Sequence, residues 1–312
     1  MAREVALVTG SEGFVGRILC ARLAEAGIRV LGCDLSVPPD DSTRRACDIA
    51  DPQAVSDMLS WAGRCDYIFH LAAAASVASG LQSPGRFMRA NIEGTVNLCE
   101  GMHEHRPEAR LVFIGSSEVY GPPTYLPVDE SHPLNPVNPY AISKLAAEHY
   151  CRYMHAAHGM NVVMLRPFNH SGPGQKEHFV LSSFARQIVE IERGLREPVL
   201  RVGNLSAKRD FSHVRDVVRA YMLAAKADLR GEICNICSGQ SVAVSDALEK
   251  LRERTDVDFR VEKDPDRYRP VDVPEIRGSY DRFANHTGWA PELTFDCIME
   301  ELLAYWRANI LD

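Results

Sequence analysis

The chain has 312 residues, of which 46% are hydrophobic and 25% charged, a composition typical of a globular protein large enough for two lobes. Its net charge of −7 argues against a general nucleic-acid surface and against a polybasic membrane patch. No apolar run approaches the roughly 20 residues that span a bilayer, and the N-terminus leads directly into a strand-like segment without a signal peptide. The sequence therefore predicts a cytoplasmic protein.

Short β-like runs alternate with helical patterns through the first half of the chain. This alternation is typical of a parallel sheet with helices on both faces, so the sequence predicts a doubly wound α/β fold. The predicted strands are 5–9, 28–34, 66–71, 111–116 and 162–166, and the predicted helices are 14–26, 84–105 and 138–158.

The character of the sequence changes after Pro167, where proline and glycine cluster at 172–174. We predict a first domain over 1–168, to which the chain returns at about 205–240, and a smaller C-terminal lobe over 169–312. A cleft between the two is the expected place for a substrate. The later predicted elements are helices 179–193, 214–227 and 296–309 and strands 199–202 and 233–236.

Nine cysteines, an odd number, are scattered through apolar segments, which suits a reducing compartment and structural thiols. Cys234 and Cys237 have the spacing of a metal-binding pair, but no second pair or histidine cluster accompanies them. They also lie in a strand-like run, where residues three apart face opposite sides. We therefore predict no metal site.

A glycine-rich turn joins the first predicted strand to the first predicted helix. Gly10, Gly13 and Gly16 allow a tight turn, and Phe14 and Val15 open a helix whose N–H groups can hold a pyrophosphate. A turn that binds nothing is the alternative, and the strand–helix context disfavours it. The first domain is therefore predicted to be an NAD(P)-binding Rossmann domain.

Acidic and basic residues near the second strand bear on the choice of coenzyme. Asp34 ends that strand, where a carboxylate accepts hydrogen bonds from the adenosine ribose and repels a 2′-phosphate. The prediction is NAD, with NADP possible because Arg44 and Arg45 follow; a structural Asp34 that caps a turn stays open. Asp48 and Ile49 are predicted to bracket the adenine.

Small residues close the strand predicted at 66–71. Leu71, Ala72 and Ala73 let the chain pass close to a bound coenzyme. Asn91 lies inside a long predicted helix, although asparagine is a poor helix former. It is interpreted either as a coenzyme-site residue or as a residue that stabilises a kink.

Tyr140 and Lys144 are four residues apart and project from the same face of a predicted helix. An ammonium group beside a phenol lowers the pKa of the phenol, so Tyr140 could exchange a proton with a sugar hydroxyl. Ser116 could donate a second hydrogen bond to the same oxygen. The alternative is an exposed pair without function, which is common at this spacing.

Together these residues resemble the extended short-chain dehydrogenase/reductase superfamily, in order and spacing, over most of the chain. The second half resembles enzymes of GDP-sugars, and most of all the GDP-4-keto-6-deoxy-mannose reductases, with GDP-mannose 4,6-dehydratases as close relatives. This resemblance rests on segments 168–175, 202–205, 209–211, 214–216 and 287–289.

The resemblance implies hydride transfer at C4 of a GDP-linked deoxyhexose, with Ser116, Tyr140 and Lys144 catalytic and the latter two also against the coenzyme. It implies a homodimer formed through helices 84–105 and 138–158. Each implied substrate-binding arginine has an ordinary ion pair as its alternative. The implied substrate-binding residues are Ser117, Asn169, Val180, Arg186, Asn204, Arg209 and Arg269.

Glu118 occupies the position at which the related dehydratases carry the base that removes the C5 proton. A dehydration needs that base, whereas a reduction or a C4 epimerisation does not. The prediction is a reductase, and a GDP-mannose dehydratase, another nucleotide-sugar dehydratase or a C4-epimerase stays open. A non-catalytic NAD-binding regulator is a further alternative, although both Tyr140 and Lys144 are present.

Overall fold

The computed structural model describes residues 3–38, 41–75, 84–267 and 273–310. Its centre is a parallel sheet of seven strands in the order β10-β6-β5-β4-β1-β2-β3. Strands β2 and β3 lie on one side of β1, and β4, β5 and β6 lie on the other. Because the strand order reverses at β1, a crevice opens at the carboxyl ends of β1 and β4. The strands are Val5–Thr9 (β1), Arg29–Asp34 (β2), Arg44–Ala46 (β3), Tyr67–His70 (β4), Arg110–Ile114 (β5), Val162–Pro167 (β6) and Ile233–Ile236 (β10).

Helices cover both faces of this sheet, which confirms the predicted doubly wound Rossmann fold. Alternate side chains of β1 serve the two faces: Ala6 and Val8 pack with one set of helices and Leu7 with the other. One set is Phe14–Glu25 (α1), Val214–Lys226 (α6) and Asp281–Thr287 (α8); the other is Pro52–Ala62 (α2), α3 and Pro139–His158 (α4), where α3 comprises Gly85–Phe87, the π-helical Met88–Glu93 and Gly94–His105.

Among the described residues, the second half of the chain adds two small sheets and three helices that pack around a core of their own. The three-stranded sheet has the order β11-β9-β7, and the two-stranded sheet pairs β12 with β8. Phe184, Leu248 and Leu302 are among the side chains buried between them. These elements are Asn169–Ser171 (β7), Val180–Glu192 (α5), Val199–Val202 (β8), Lys208–His213 (β9), Ser241–Ala243 (β11), Val244–Arg252 (α7), Arg260–Lys263 (β12) and Phe295–Asn309 (α9).

Most predicted elements are confirmed to within two residues, and three strands agree in full: 5–9, 199–202 and 233–236. The prediction missed β3 and α2. In the second half it missed helices α7 and α8 and the short strands β7, β9, β11 and β12. Strand β10 joins the large sheet late in the chain; the domain boundaries, with the return at about 205–240, remain a prediction.

Cys234 and Cys237 are buried and unbonded. Within the residues that the structure describes, no group of three or more His, Cys, Asp or Glu side chains could hold a metal ion. Within the same ranges, every helix is too short or too polar to cross a membrane.

Candidate active site

The glycine-rich turn follows β1 and fits a dinucleotide. Gly10 has φ 72°, and a Cβ on it would lie 2.8 Å from the Ala72 nitrogen. A Cβ on Gly16 would lie 2.0 Å from the Gly10 oxygen, so both positions need glycine. Gly13 caps α1 without a side-chain hydrogen bond, and Phe14 and Val15 begin that helix. The first N–H groups of α1 therefore face the turn in the arrangement that binds a diphosphate.

Asp34 lies at the carboxyl end of β2 beside this turn. Its carboxylate accepts hydrogen bonds from the backbone N–H groups of Glu12 at 3.0 Å and Leu35 at 2.8 Å. Asp34 thus has the structural role that the sequence left open, at the position expected for a ribose-binding acid. Arg44, on the neighbouring β3, forms an ion pair of 3.3 Å with the Glu12 carboxylate, and Arg45 follows it.

Asp48 and Ile49 follow β3 at the same end of the sheet. Asp48 is exposed, and its carboxylate accepts a hydrogen bond from the Ala50 N–H at 3.0 Å. Ile49 is buried against α3 at Gly94, where a Cβ would lie 2.6 Å from the Ile49 Cδ1. The Asp48 carboxylate and the apolar Ile49 side chain thus lie near the end of β2.

A buried histidine holds the segment after β4. His70 Nδ1 accepts a hydrogen bond from the Thr9 hydroxyl at 2.8 Å, and its Nε2 donates to Thr95 Oγ1 at 3.1 Å. The Ala72 N–H donates to Thr9 Oγ1 at 3.1 Å, so hydrogen bonds run without a break from Ala72 through Thr9 and His70 to Thr95. Burial, followed by the Lys144 charge, lowers the pKa of His70 to about 3, which keeps the ring neutral. The sequence analysis did not single out His70, although a histidine at the end of a buried apolar strand could have indicated a residue of the site.

Asn91 links the same segment to helix α4. It lies in the π-helical part of α3, where its Oδ1 accepts from the Ala74 N–H at 2.8 Å. Its Nδ2 donates to the Ala74 carbonyl at 3.1 Å and to Ser143 Oγ at 2.9 Å. Leu71, Ala72 and Ala73 precede Ala74, so Asn91 and His70 fix this loop between α3, α4 and β1.

The catalytic candidates come together at the start of α4 and the end of β5. Asn138 caps α4 by accepting a hydrogen bond from the Ala141 N–H at 2.8 Å. Tyr140 therefore lies in the first turn of α4, with its phenol close enough to Ser116 for that side chain to lower the pKa of the phenol. One turn later, Lys144 Nζ donates to the Ile114 carbonyl at 2.7 Å. Tyr140 and Lys144 thus lie one turn apart on α4, with Ser116 beside the phenol and the Ile114 carbonyl holding the ammonium; their catalytic roles stay a prediction.

The electrostatics of this group differ from the prediction. Burial, followed by the Glu118 carboxylate, raises the pKa of Tyr140, and the nearby Ser116 side chain only partly opposes this rise. Burial lowers the pKa of Lys144 to about 8. The predicted lowering of the Tyr140 pKa by Lys144 is therefore wrong: the ammonium is bound to the Ile114 carbonyl, and desolvation of the phenolate dominates.

Glu118 lies in the 3₁₀ turn Ser117–Tyr120 beside Tyr140. Its Oε2 accepts a hydrogen bond from Asn138 Nδ2 at 2.8 Å, and its N–H donates to Ser116 Oγ at 3.2 Å. Ser117 is buried next to it. The structure therefore brings a carboxylate to the serine–tyrosine pair.

The substrate-binding candidates lie on several elements of the second half. Asn169 is exposed on β7, opposite Phe211 of β9. Arg209 Nη1 donates to the Val273 carbonyl at 2.6 Å. Asn204 Oδ1 accepts from the Ser206 N–H at 3.0 Å. Arg269 lies outside the described residues.

The two candidates on α5 differ in their surroundings. Val180 begins the helix and is 37% exposed. Arg186 forms ion pairs with Glu190 at 2.8 Å and Glu177 at 3.1 Å. These are the ordinary ion pairs that were the alternative to substrate binding. A cation that sequence reasoning missed lies nearby: Arg267 Nη1 donates to Ser183 Oγ of α5 at 2.9 Å.

Comparison with known proteins agrees with this geometry. The model of the NAD dependent epimerase/dehydratase family matches residues 6–237. The chain belongs to this family. It is 35% identical to GDP-6-deoxy-D-mannose reductase of Pseudomonas aeruginosa over 97% of each chain.

Solved structures give the same result for the fold. The structure of RMD from Pseudomonas aeruginosa complexed with NADPH matches with a TM-score of 0.88 and 34% identity, over 98% of this chain and 100% of that chain. UDP-glucose 4-epimerase from Thermotoga maritima with UDP-glucose matches with a TM-score of 0.88 and 27% identity, over 97% of this chain and 99% of that chain. The family to which the chain belongs thus includes coenzyme-dependent nucleotide-sugar enzymes.

Proposed function

We propose that this protein is a nucleotide-sugar oxidoreductase that transfers hydride at C4 of a GDP-linked deoxyhexose, as a GDP-4-keto-6-deoxy-mannose reductase. The observation that carries the proposal is that the Tyr140 phenol, which lies close enough to Ser116 for that side chain to affect its pKa, stands one helical turn before the buried Lys144. The similarity to a reductase of this type over 97% of the chain supports the substrate class.

When bound, the nicotinamide coenzyme supplies the hydride. Ser116 donates a hydrogen bond to the C4 oxygen of the keto sugar and polarises the carbonyl. Tyr140 donates the proton to the same oxygen, and its raised pKa keeps the phenol protonated at neutral pH, as a proton donor requires. Lys144, which the Ile114 carbonyl holds in place, would bind the nicotinamide ribose.

The remaining contacts follow the predicted lobes, 1–168 with its return at about 205–240 for the coenzyme and 169–312 for the nucleotide sugar. The N–H groups of α1 at Phe14 and Val15 would hold the coenzyme diphosphate, and Asp34 its adenosine ribose. Arg209 and Arg269 would bind the sugar diphosphate, since guanidinium groups match phosphate oxygens. Asn169 would contact the same group.

A second candidate is a GDP-mannose 4,6-dehydratase, and the position of Glu118 favours it. Its carboxylate is close enough to Tyr140 to raise the pKa of the phenol, and Asn138 holds its Oε2 at 2.8 Å. A base at that position could remove the C5 proton after oxidation at C4. That reaction would consume no coenzyme overall.

A single-turnover experiment separates the two. The purified protein is mixed with GDP-mannose, or with GDP-4-keto-6-deoxy-mannose plus NADH or NADPH, and coenzyme absorbance and product mass are followed. Stoichiometric loss of reduced coenzyme with a gain of two hydrogens identifies a reductase. Loss of water from GDP-mannose without net coenzyme consumption identifies a dehydratase. If neither sugar reacts, the GDP assignment is wrong.

A matched pair of variants tests the role of Tyr140. Tyr140→Phe removes only the phenolic oxygen, and we expect it to lower kcat about 10²–10⁴-fold, the usual contribution of a general acid. Tyr150→Phe removes a hydroxyl on the same helix that is bonded to the exposed Glu100, and it should leave kcat unchanged. Equal losses in both would contradict the assigned proton donor.

We also propose a cytoplasmic homodimer. Nine free cysteines, eight of them buried, support a reducing compartment. Ile142 is 46% exposed and Tyr153 is 54% exposed on α4, which supports its packing against a second copy. Sedimentation of the wild type and of Tyr153→Glu tests this, because a charge in the interface would favour monomers.

A further inference from the structure

Glu12 is a charged residue within the glycine-rich turn, and the proposed mechanism does not use it. Its N–H is bonded to Asp34, and its carboxylate forms ion pairs with Arg44 at 3.3 Å and Arg17 at 3.5 Å. The side chains of Glu12 and Arg44 are 22% and 18% exposed, whereas that of Arg17 is 70% exposed. The Glu12–Arg44 pair is therefore sheltered, and the contact with Arg17 is a solvated surface pair.

Gly32 gives Arg44 room to reach the turn. A Cβ on Gly32 would lie 2.8 Å from Arg44 Cδ and 2.7 Å from Ser11 Oγ. The Arg44 side chain therefore lies across β2, with its guanidinium at the Glu12 carboxylate. Two carboxylates, Asp34 and Glu12, and one sheltered guanidinium thus meet where β2 ends.

We propose that Glu12 and Arg44 together select the coenzyme by its 2′-substituent, so that the wild-type protein prefers NAD to NADP. This inference rests on the coenzyme site proposed above, with Asp34 at the adenosine ribose. A 2′-hydroxyl can donate to a carboxylate there. A 2′-phosphate would instead meet two carboxylates and an arginine whose charge Glu12 already neutralises.

The arrangement makes the effects of substitutions unequal. Glu12→Gln removes one negative charge and leaves the Arg44 fork available to phosphate oxygens, which it matches in geometry. Asp34→Asn removes one negative charge as well but leaves Arg44 paired with Glu12. We therefore expect Glu12→Gln to gain more affinity for NADPH than Asp34→Asn, and the gain to depend on Arg44.

Direct binding of NADH and NADPH without any sugar tests this, by titration of coenzyme fluorescence. We expect the wild type to bind NADH more tightly, and Glu12→Gln to shift the NADPH/NADH affinity ratio by about tenfold or more toward NADPH. Adding Arg44→Met to Glu12→Gln should reverse that shift. Arg17→Met, the control for the solvated pair, should leave the ratio unchanged.

Three results would overturn the inference. One is a wild-type protein that binds NADPH more tightly than NADH. The second is a Glu12→Gln protein that binds NADH normally with an unchanged ratio, and the third is a shift that persists without Arg44. If neither the wild type nor any variant binds either coenzyme, the proposed coenzyme site itself is wrong, which separates that failure from the others.

Discussion

Lys144 is a buried ammonium group whose charge has a cost in stability. It is 5% exposed, and burial lowers its pKa from the ordinary 10.5 to about 8. Between these two values the unfolded chain binds more protons than the folded protein, so stability rises with pH across this window. Below about pH 8 the folded protein carries the full cost of the buried charge.

Lys144→Met should therefore abolish turnover and change how stability depends on pH. The free energy of unfolding of the variant should exceed that of the wild type by most below about pH 8. This difference should shrink as the pH rises toward 10.5. Urea denaturation of both proteins at pH 7, 8.5 and 10 measures the difference. A difference in unfolding free energy that does not change with pH would contradict the lowered pKa.

At the scale of elements, a buried ion pair joins α4 to the turn that carries Ser117 and Glu118. Arg166 of β6 makes two bonds to the Glu148 carboxylate, at 2.6 and 2.8 Å, and one to the Tyr120 hydroxyl at 2.8 Å. Arg166 and Glu148 are 2% and 0% exposed. The Tyr120 hydroxyl in turn donates to Asn235 of β10 at 2.7 Å, so this network spans four elements.

Arg166→Met should lower the free energy of unfolding by about 3–5 kcal/mol, because it leaves the Glu148 charge buried without a partner. Adding Glu148→Met should recover part of that loss. Arg22→Met, which breaks an exposed pair with Glu25, should cost less than about 1 kcal/mol. Urea denaturation measures all three. A double variant no more stable than Arg166→Met alone would contradict the coupling.

The sequence predicted these elements better than it predicted their contacts. Tyr140 and Lys144 were found because helical spacing alone puts them on one face. The π-helical segment around Asn91 was anticipated only as an irregularity, because its bonds go to Ala74 and Ser143 on other elements. The His70–Thr95 and Glu12–Arg44 contacts join residues 25 and 32 positions apart. Tertiary packing decides such pairs, and no local pattern contains them.

At the scale of the molecule, one carboxylate links the large sheet to the smaller ones. Asp210 lies in β9 and is fully buried. It accepts hydrogen bonds from the Ser238 N–H at 2.8 Å and hydroxyl at 2.6 Å, just after β10. It also accepts from the N–H groups of Gly239 at 3.0 Å and Gly278 at 3.1 Å. Four donors from two segments thus converge on the strand that carries Arg209.

Asp210→Asn should therefore destabilise the whole protein although it changes the volume very little. The amide presents an NH₂ group to donors that need an acceptor, so at least one buried N–H loses its partner, at a cost of about 2–4 kcal/mol. Asp246→Asn, on the exposed face of α7, is the matched control and should cost less than about 0.5 kcal/mol. Urea denaturation of both variants, followed by fluorescence and circular dichroism, gives the comparison. Equal stability of the two variants would show that the Asp210 hydrogen bonds do not hold the two parts of the molecule together.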